Sequence, residues 1–489
     1  MKRNSEPVHH EHEHEKDLRL QDALEESLES PNKPDPKHGH DHVAKLLTDT
    51  TVVAELHSGD DRPATVIDPC ERKKRNIVSR FTEWLIPYGG VISNCFSLGS
   101  VTLGAGIISM PSSFAMSGII MSVIYLVVIT SATVYTMTLM GFAMKATGCL
   151  TFESLGRVLF GRGWDYFVGF VLWLSSFGTA VAYISAVGSL ITPILENAPG
   201  TPAYLKTTAG NRCITSLIWL VLMVPTVIPK HLNSIRYVSA FGVTMVLYFV
   251  VTIVIHSSTN GMKKGMRDDM KYFTTGNQAV YGLSIFIFAY LCQTIAGNVY
   301  SEQRPRPSIR QLTIASAISM TVCMIFYIFA GVFGYFDFAG ETKDAILENF
   351  DPIAQPYMMV AYFGMLIKLC AAYAMNMIPC RNFTYHCLGW DLETVPYWKH
   401  IAVVGSTSVV ILICGLFIPS INTALGLVGS LCGGFIGFIF PALFWMYCGN
   451  WSLKTVGIWH WIGTYLLIVV GVIAIVFGTI TTVYYSFFV

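Results

Sequence analysis

From residue 88 onward the sequence is a succession of apolar runs, most of 18 residues or more, joined by short polar links. A helix of that length crosses about 30 Å of hydrocarbon. The runs read as 88–114, 117–143, 166–194, 214–231, 236–256, 279–300, 311–336, 356–380, 400–418, 422–447 and 458–486, which makes eleven spans. The chain is therefore read as an all-α polytopic membrane protein. Only 13% of its residues are charged, against about 25% in a soluble domain. Thirteen of the 32 Lys/Arg and 17 of the 31 Asp/Glu fall in the first 80 residues.

That separation sets the domain plan: a polar cytosolic tail over 1–80, read as disordered, and a transmembrane domain over 81–489. The tail has no apolar core of the kind a cleaved signal needs, so the first apolar run is expected to start translocation itself. Its clusters HHEHEHE (His9–Glu15) and KHGHDH (Lys37–His42) are read as a solvated tail, with zinc binding or pH sensing as the alternative. The cysteines are scattered without a C-x-x-C pair, so no disulfide framework is expected.

Orientation follows from basic residues at the span ends. An N-terminus inside places 16 Lys/Arg on the cytosolic side, beginning with Arg72–Arg75, and 7 outside. The loop 257–278 opposes the rule, but Asp268 and Asp269 dilute its charge. Both N-x-S/T sequons, at Asn382 and Asn450, fall on the cytosolic side and should carry no glycan. An odd number of spans puts the termini on opposite faces. Between the second and third runs, TFESLGRVLFGRG reads as a short interfacial helix capped by Thr151, with Glu153 in its first turn.

The stretch VTLGAGIISMPSSFAMSG (Val101–Gly118) departs from this pattern, because Gly104, Gly106 and Pro111 interrupt an otherwise membrane-like helix. In lipid, irregular backbone is tolerated where it lines a cavity. Secondary transporters use such breaks to offer N–H groups to an anionic substrate group and carbonyls to a cation. The alternative is close helix packing at Gly-x-Gly. A second interruption lies in SIFIFAYLCQTIAGNVYSEQRPRP, with Gln293, Thr294 and Gly297 at mid-span. The two interrupted spans stand five helices apart, the spacing of two five-helix repeats of inverted topology plus one further helix.

GAGIISMPSSFAMSG resembles the first-helix signature of the amino acid/auxin permease family, within the amino acid–polyamine–cation superfamily. TFESLGRVLFG, IPKHLNSIRYVSAFG, FAYLCQTIAGNVYSE and GYFDFAGETKDAILENF resemble further segments of that family in the same order, over residues 80–489. The resemblance implies a ten-plus-one inverted-repeat architecture with helices 1 and 6 discontinuous, and transport of amino acids. It also implies that the substrate's carboxylate and amine bind at Gly104, Ala105, Gly106 and Ile107, facing Phe288, Ala289, Tyr290 and Gln293. Tyr183 is read as a third wall or as a packing aromatic.

Two departures concern coupling. Sodium-coupled members of the family carry Asn where this chain has Ser100, and Thr where it has Ala372. Sodium takes hard oxygen ligands, and an alanine side chain supplies none. Lys368 lies one turn from Ala372, at a depth where a charge is expensive and marks a functional hypothesis. Its ammonium is expected to replace the missing cation, or to carry a proton; the alternative is a lysine that snorkels or pairs with carbonyls. Glu302 and Asp337, at span ends, read as interfacial.

The expected function is amino acid transport, secondary active or facilitative, sodium-independent, with neutral substrates favoured because Lys368 would repel cationic ones. A cationic amino acid permease and a nutrient-sensing transceptor are the alternatives. No intramembrane nucleophile–base set is present, so no enzyme is expected. Nor is a cofactor, a metal or a nucleic-acid partner. Protons are the candidate coupling ion, and the plasma membrane is favoured over a vacuolar or lysosomal one.

Overall fold

The computed structural model describes residues 89–230, 235–261, 267, 269–392, 394–449 and 451–488, with backbone only at 235–240. The tail with its His clusters, Asn450 of the second sequon and residues 231–234 of IPKHLNSIRYVSAFG lie outside the described residues.

The described residues form helices and turns, without strands. Ten helices are long and apolar enough to span a bilayer, and one bent pair makes an eleventh span. Span α1 consists of α1a (Val91–Thr102) and α1b (Ala105–Ser117), which meet at 55°. It is followed by α2 (Ile119–Thr147), α3 (Trp164–Asn197), α4 (Thr208–Val227) and α5 (Ile235–His256). Span α6 (Asn277–Ser301) contains α6a (Asn277–Ala289) and α6b (Ala296–Ser301). The remainder are α7 (Ile309–Glu341), α8 (Pro356–Leu388), α9 (Tyr397–Phe417), α10 (Ile421–Tyr447) and α11 (Ile458–Phe487).

Burial sorts these spans. The apolar windows of α6 and α10 are 72% and 78% buried, whereas those of α4 and α9 are 28% buried. The sequence agrees: α4 and α9 expose apolar side chains such as Leu217, Leu220, Val410 and Ile413, as lipid contact requires, while α6 and α10 carry the small residues that let backbones approach. Half-helix α1b packs on α6a, α1a on α7, and α8 on α3 and α5. The two interrupted spans thus meet at the centre of the bundle.

Three local expectations are met or corrected. Thr151 caps the short helix Phe152–Phe160, its hydroxyl accepting the Ser154 N–H at 3.2 Å while Ser154 Oγ accepts the Thr151 N–H at 3.3 Å. Pro111 interrupts nothing: it lies in the first turn of the helix Met110–Ser117, where its missing N–H has no intrahelical partner to lose. Asp337 lies near the end of α7, where its side chain is 2% exposed and pairs with His256 at 2.8 Å.

Candidate functional site

The break in α1 begins with one misdirected amide. In an unbroken helix the N–H of residue 104 bonds the carbonyl of residue 100. Here the Gly104 N–H turns to the Thr102 carbonyl at 2.8 Å, so the Ser100 carbonyl loses its helical donor. A bare carbonyl in a membrane interior is costly. Lys368 of α8 supplies the replacement, its Nζ donating to the Ser100 carbonyl at 2.9 Å.

Lys368 is 6% exposed, and among the described residues no carboxylate stands within ion-pair distance of it. Its methylene chain passes over Gly242 of α5, where a Cβ would stand 2.5 Å from the lysine Cδ. A side chain at position 242 would force the lysine chain to shift. The Ser100 hydroxyl is turned away, donating to the Ser97 carbonyl at 2.9 Å. The Ala372 carbonyl accepts from the side-chain amide of Asn376 at 3.0 Å, and its methyl offers no ligand.

The second break is tied to the first by Tyr327 of α7. Its buried hydroxyl lies 2.7 Å from the Thr102 carbonyl and 2.9 Å from the Ala289 carbonyl. One O–H thus serves the carbonyl ends of both α1a and α6a. Within the α6 break the backbone looks after itself: Leu291 N–H bonds the Phe288 carbonyl at 3.0 Å, and Cys292 N–H the Tyr290 carbonyl at 2.8 Å.

Between the breaks lies a cavity of about 90 Å³. Thr102, Gly104 and Ala105 line it from α1; Phe288, Ala289 and Thr294 from α6. Ser175, Thr179 and Tyr183 of α3 form a wall, and Asn376 of α8 closes it. The Tyr183 hydroxyl faces the Asn376 side chain. Every lining residue is uncharged. The 3₁₀ turn Ala105–Ser109 begins at this cavity, and the first N–H groups of a helical segment have no internal partners. The chemistry on offer is N–H and hydroxyl donors for a carboxylate, and carbonyl or amide oxygens for an ammonium.

Of the residues read from sequence, Gly104, Ala105, Tyr183, Phe288 and Ala289 line the cavity. Gly106 sits beside it, where a Cβ would come within 3.0 Å of the Ala289 Cβ, so its lack of a side chain lets α1b reach α6a. Ile107 is fully buried in the core. Tyr290 and Gln293 turn towards α2: Thr130 donates to the Tyr290 hydroxyl at 2.8 Å, and Gln293 Nε2 donates to Thr136 at 3.3 Å. Thr294, read from sequence as part of the second interruption, also lines the cavity, whereas sequence reading missed Ser175, Thr179, Asn376, Tyr327 and Gly242. Their signal was a polar or tiny residue within an apolar span, too common to single out without knowing which helix face turns inward.

Two similarities extend these observations. A sodium-coupled neutral amino acid symporter 2 from Danio rerio is 24% identical over 385 residues, covering 72% of this chain and 74% of that protein. Mhp1, a nucleobase-cation-symport-1 family transporter solved in a closed conformation with bromovinylhydantoin bound, shares the fold. It aligns with a TM-score of 0.50 at 16% identity, over 81% of this chain and 91% of its own. The architecture is thus two inverted five-helix halves plus one span, with the interrupted spans at their interface. Residues 88–484 match the family described as transmembrane amino acid transporter protein, and the chain belongs to that family of amino acid transporters.

Proposed function

We propose that this protein carries small neutral amino acids across its membrane without sodium, the Lys368 ammonium filling the position a coupling cation would take. The observation that carries this reading is the 2.9 Å bond from Lys368 Nζ to the Ser100 carbonyl. A carbonyl freed by a helix break is the kind of oxygen that holds a transported cation in such folds. Here it is already bonded to a fixed positive charge, and positions 100 and 372 add no side-chain oxygen beside it. The Danio rerio relative is named for sodium coupling; Lys368 is the residue on which the two would differ.

The substrate class follows from the cavity. Its uncharged lining provides no counterion for a cationic or anionic side chain, and a charge out of water needs one. Its volume of about 90 Å³ is well below the ~300–1,000 Å³ of drug-sized sites. The α-carboxylate would lie on the N–H groups of Ala105 and Gly106, with the α-amine towards the carbonyl end of α6a. In the orientation set by the basic residues, the tail is cytosolic and α1b, α6a and the α7–α8 loop lie on the outer side.

Purified protein in liposomes, offered a panel of labelled amino acids, tests the reading. Uptake of small neutral amino acids in excess of lysine, arginine and glutamate is expected. Preferential uptake of arginine or lysine would overturn the substrate assignment.

A further inference from the structure

A second polar group lies buried in the bundle, away from the cavity. His256 closes α5 and Asp337 lies near the end of α7. The imidazole Nδ1 stands 2.8 Å from the Asp337 Oδ2, with side-chain exposures of 10% and 2%. Gln355, at the start of α8, brings its amide nitrogen to 3.1 Å from Nε2. The Phe338 and Phe350 rings flank the imidazole, with centroids 6.5 and 4.9 Å away. The Gly261 backbone lies directly against the Asp337 carboxylate, where no side chain would fit.

An ionised carboxylate so enclosed needs a positive partner. Among the described residues His256 is the one group placed to provide it, and it does so only when it holds a second ring proton. The pair therefore carries one negative charge without that proton and none with it. Gln355 suits both states. Its amide nitrogen donates to a neutral Nε2, and a half-turn of the amide presents its oxygen to an Nε2–H.

Among the described residues, these nearby groups have partners of their own. Arg267 bonds Asp269 and Glu341 at 3.2 Å each, and the Asp269 carboxyl is held below its usual range, first by the Gly340 N–H. Asp351 caps the N–H groups of Ile353 and Ala354 at 2.9 and 3.2 Å. Asp344 accepts from Asn422 at 2.8 Å, and Glu348 bonds Ser189 of α3. The Tyr357 hydroxyl donates to Gln355 at 3.3 Å. None of these competes for the imidazole.

The geometry points to His256–Asp337 as a proton-binding site that couples amino acid movement to protons, an inference that rests on the transport reading above. The pair joins α5, α7 and the start of α8 at one end of the bundle, on the outer side in the proposed orientation. Proton binding neutralises the buried carboxylate's charge and holds the three elements together. Release leaves an uncompensated charge that favours separation and hydration. A proton taken from outside thus stabilises the closed outer end, in the sequence that proton symport requires. The imidazole Nε2 receives the proton, Nδ1–H keeps its hydrogen bond to Asp337, the Gln355 amide turns its oxygen to the new Nε2–H, and no covalent bond breaks.

Wild-type, His256→Gln and Asp337→Asn proteins would be compared in liposomes loaded with a pH-sensitive dye. Adding a transported amino acid outside should acidify the wild-type lumen. Wild-type uptake should rise several-fold as the outer pH falls from roughly 8 to roughly 5. His256→Gln should lose both effects while still exchanging labelled for unlabelled amino acid across the membrane. Asp337→Asn should do the same, a second readout should the histidine variant not assemble. Wild-type uptake without acidification, or a variant that acidifies like wild type, would overturn the proton site and leave transport standing. Absence of any wild-type uptake would overturn both.

Discussion

The two helix breaks solve one problem in different ways. In α6 the interrupted backbone closes on itself through short turns, and one neutral hydroxyl, that of Tyr327, serves the Ala289 carbonyl. In α1 the halves diverge by 55°, and a freed carbonyl takes its hydrogen bond from the Lys368 ammonium, brought from α8. The breaks share the Tyr327 hydroxyl, but among the described residues only the first has a full charge at it. A neutral donor suffices to keep a break satisfied. The full charge at the first break is the difference on which the proposed cation position rests.

The largest effect should come from separating the breaks. Gly106→Leu places a side chain where even a Cβ would come within 3.0 Å of Ala289, so uptake should fall to background while surface expression stays near wild type. Uptake at the wild-type rate would show that α1b and α6a need not touch. Next in size is Lys368→Met, which leaves the Ser100 carbonyl bare. A lost bond to a charged donor is worth about 1.5–3 kcal/mol, or on the order of tenfold to a hundredfold in rate at ~1.4 kcal/mol per tenfold. The initial rate at saturating substrate checks this.

Tyr327→Phe tests the shared element. Thr102 keeps the Gly104 N–H at 2.8 Å, but the Ala289 carbonyl loses the Tyr327 donor. A drop of about tenfold is expected, in line with the ~1–3 kcal/mol cost of one unsatisfied buried group. Tyr290→Phe serves as its control: that hydroxyl only accepts from Thr130, so the effect should be smaller. Equal losses would remove the special role given to Tyr327. Smallest is Lys368→Arg, which keeps the charge on a wider, planar head. It should retain part of the wild-type rate, and if His256–Asp337 is the proton site it should retain the wild-type pH dependence too.

The spans were legible because twenty apolar residues in a row allow few alternatives. The eleven segments read from sequence coincide with the eleven observed to within several residues. The breaks were legible as well, since Gly104 and Gly106 are conspicuous in such a run, though Pro111 proved to be a helix starter. The facing of side chains was not legible. Tyr290 and Gln293 lie within four residues of Ala289, yet an irregular turn rotates them towards α2, and no helical period predicts rotation across a non-helical segment. Tyr327 and Gly242 were invisible for a different reason. Each matters through what it meets on another span, the Thr102 and Ala289 carbonyls in one case and the Lys368 chain in the other. The burial of Asp337 was invisible too, because its place near a span end does not reveal that the Gly261 backbone and the His256 imidazole would stand against it.

The central claim is that a lysine ammonium occupies the cation position at the α1 break. The most direct measurement is the initial rate of uptake of a neutral amino acid by the wild-type protein in liposomes, with sodium replaced by choline at constant pH and ionic strength. The account predicts equal rates in the two media. A rate that falls to background in choline would contradict it, because sodium would then be occupying a site that the Lys368–Ser100 bond leaves no room for.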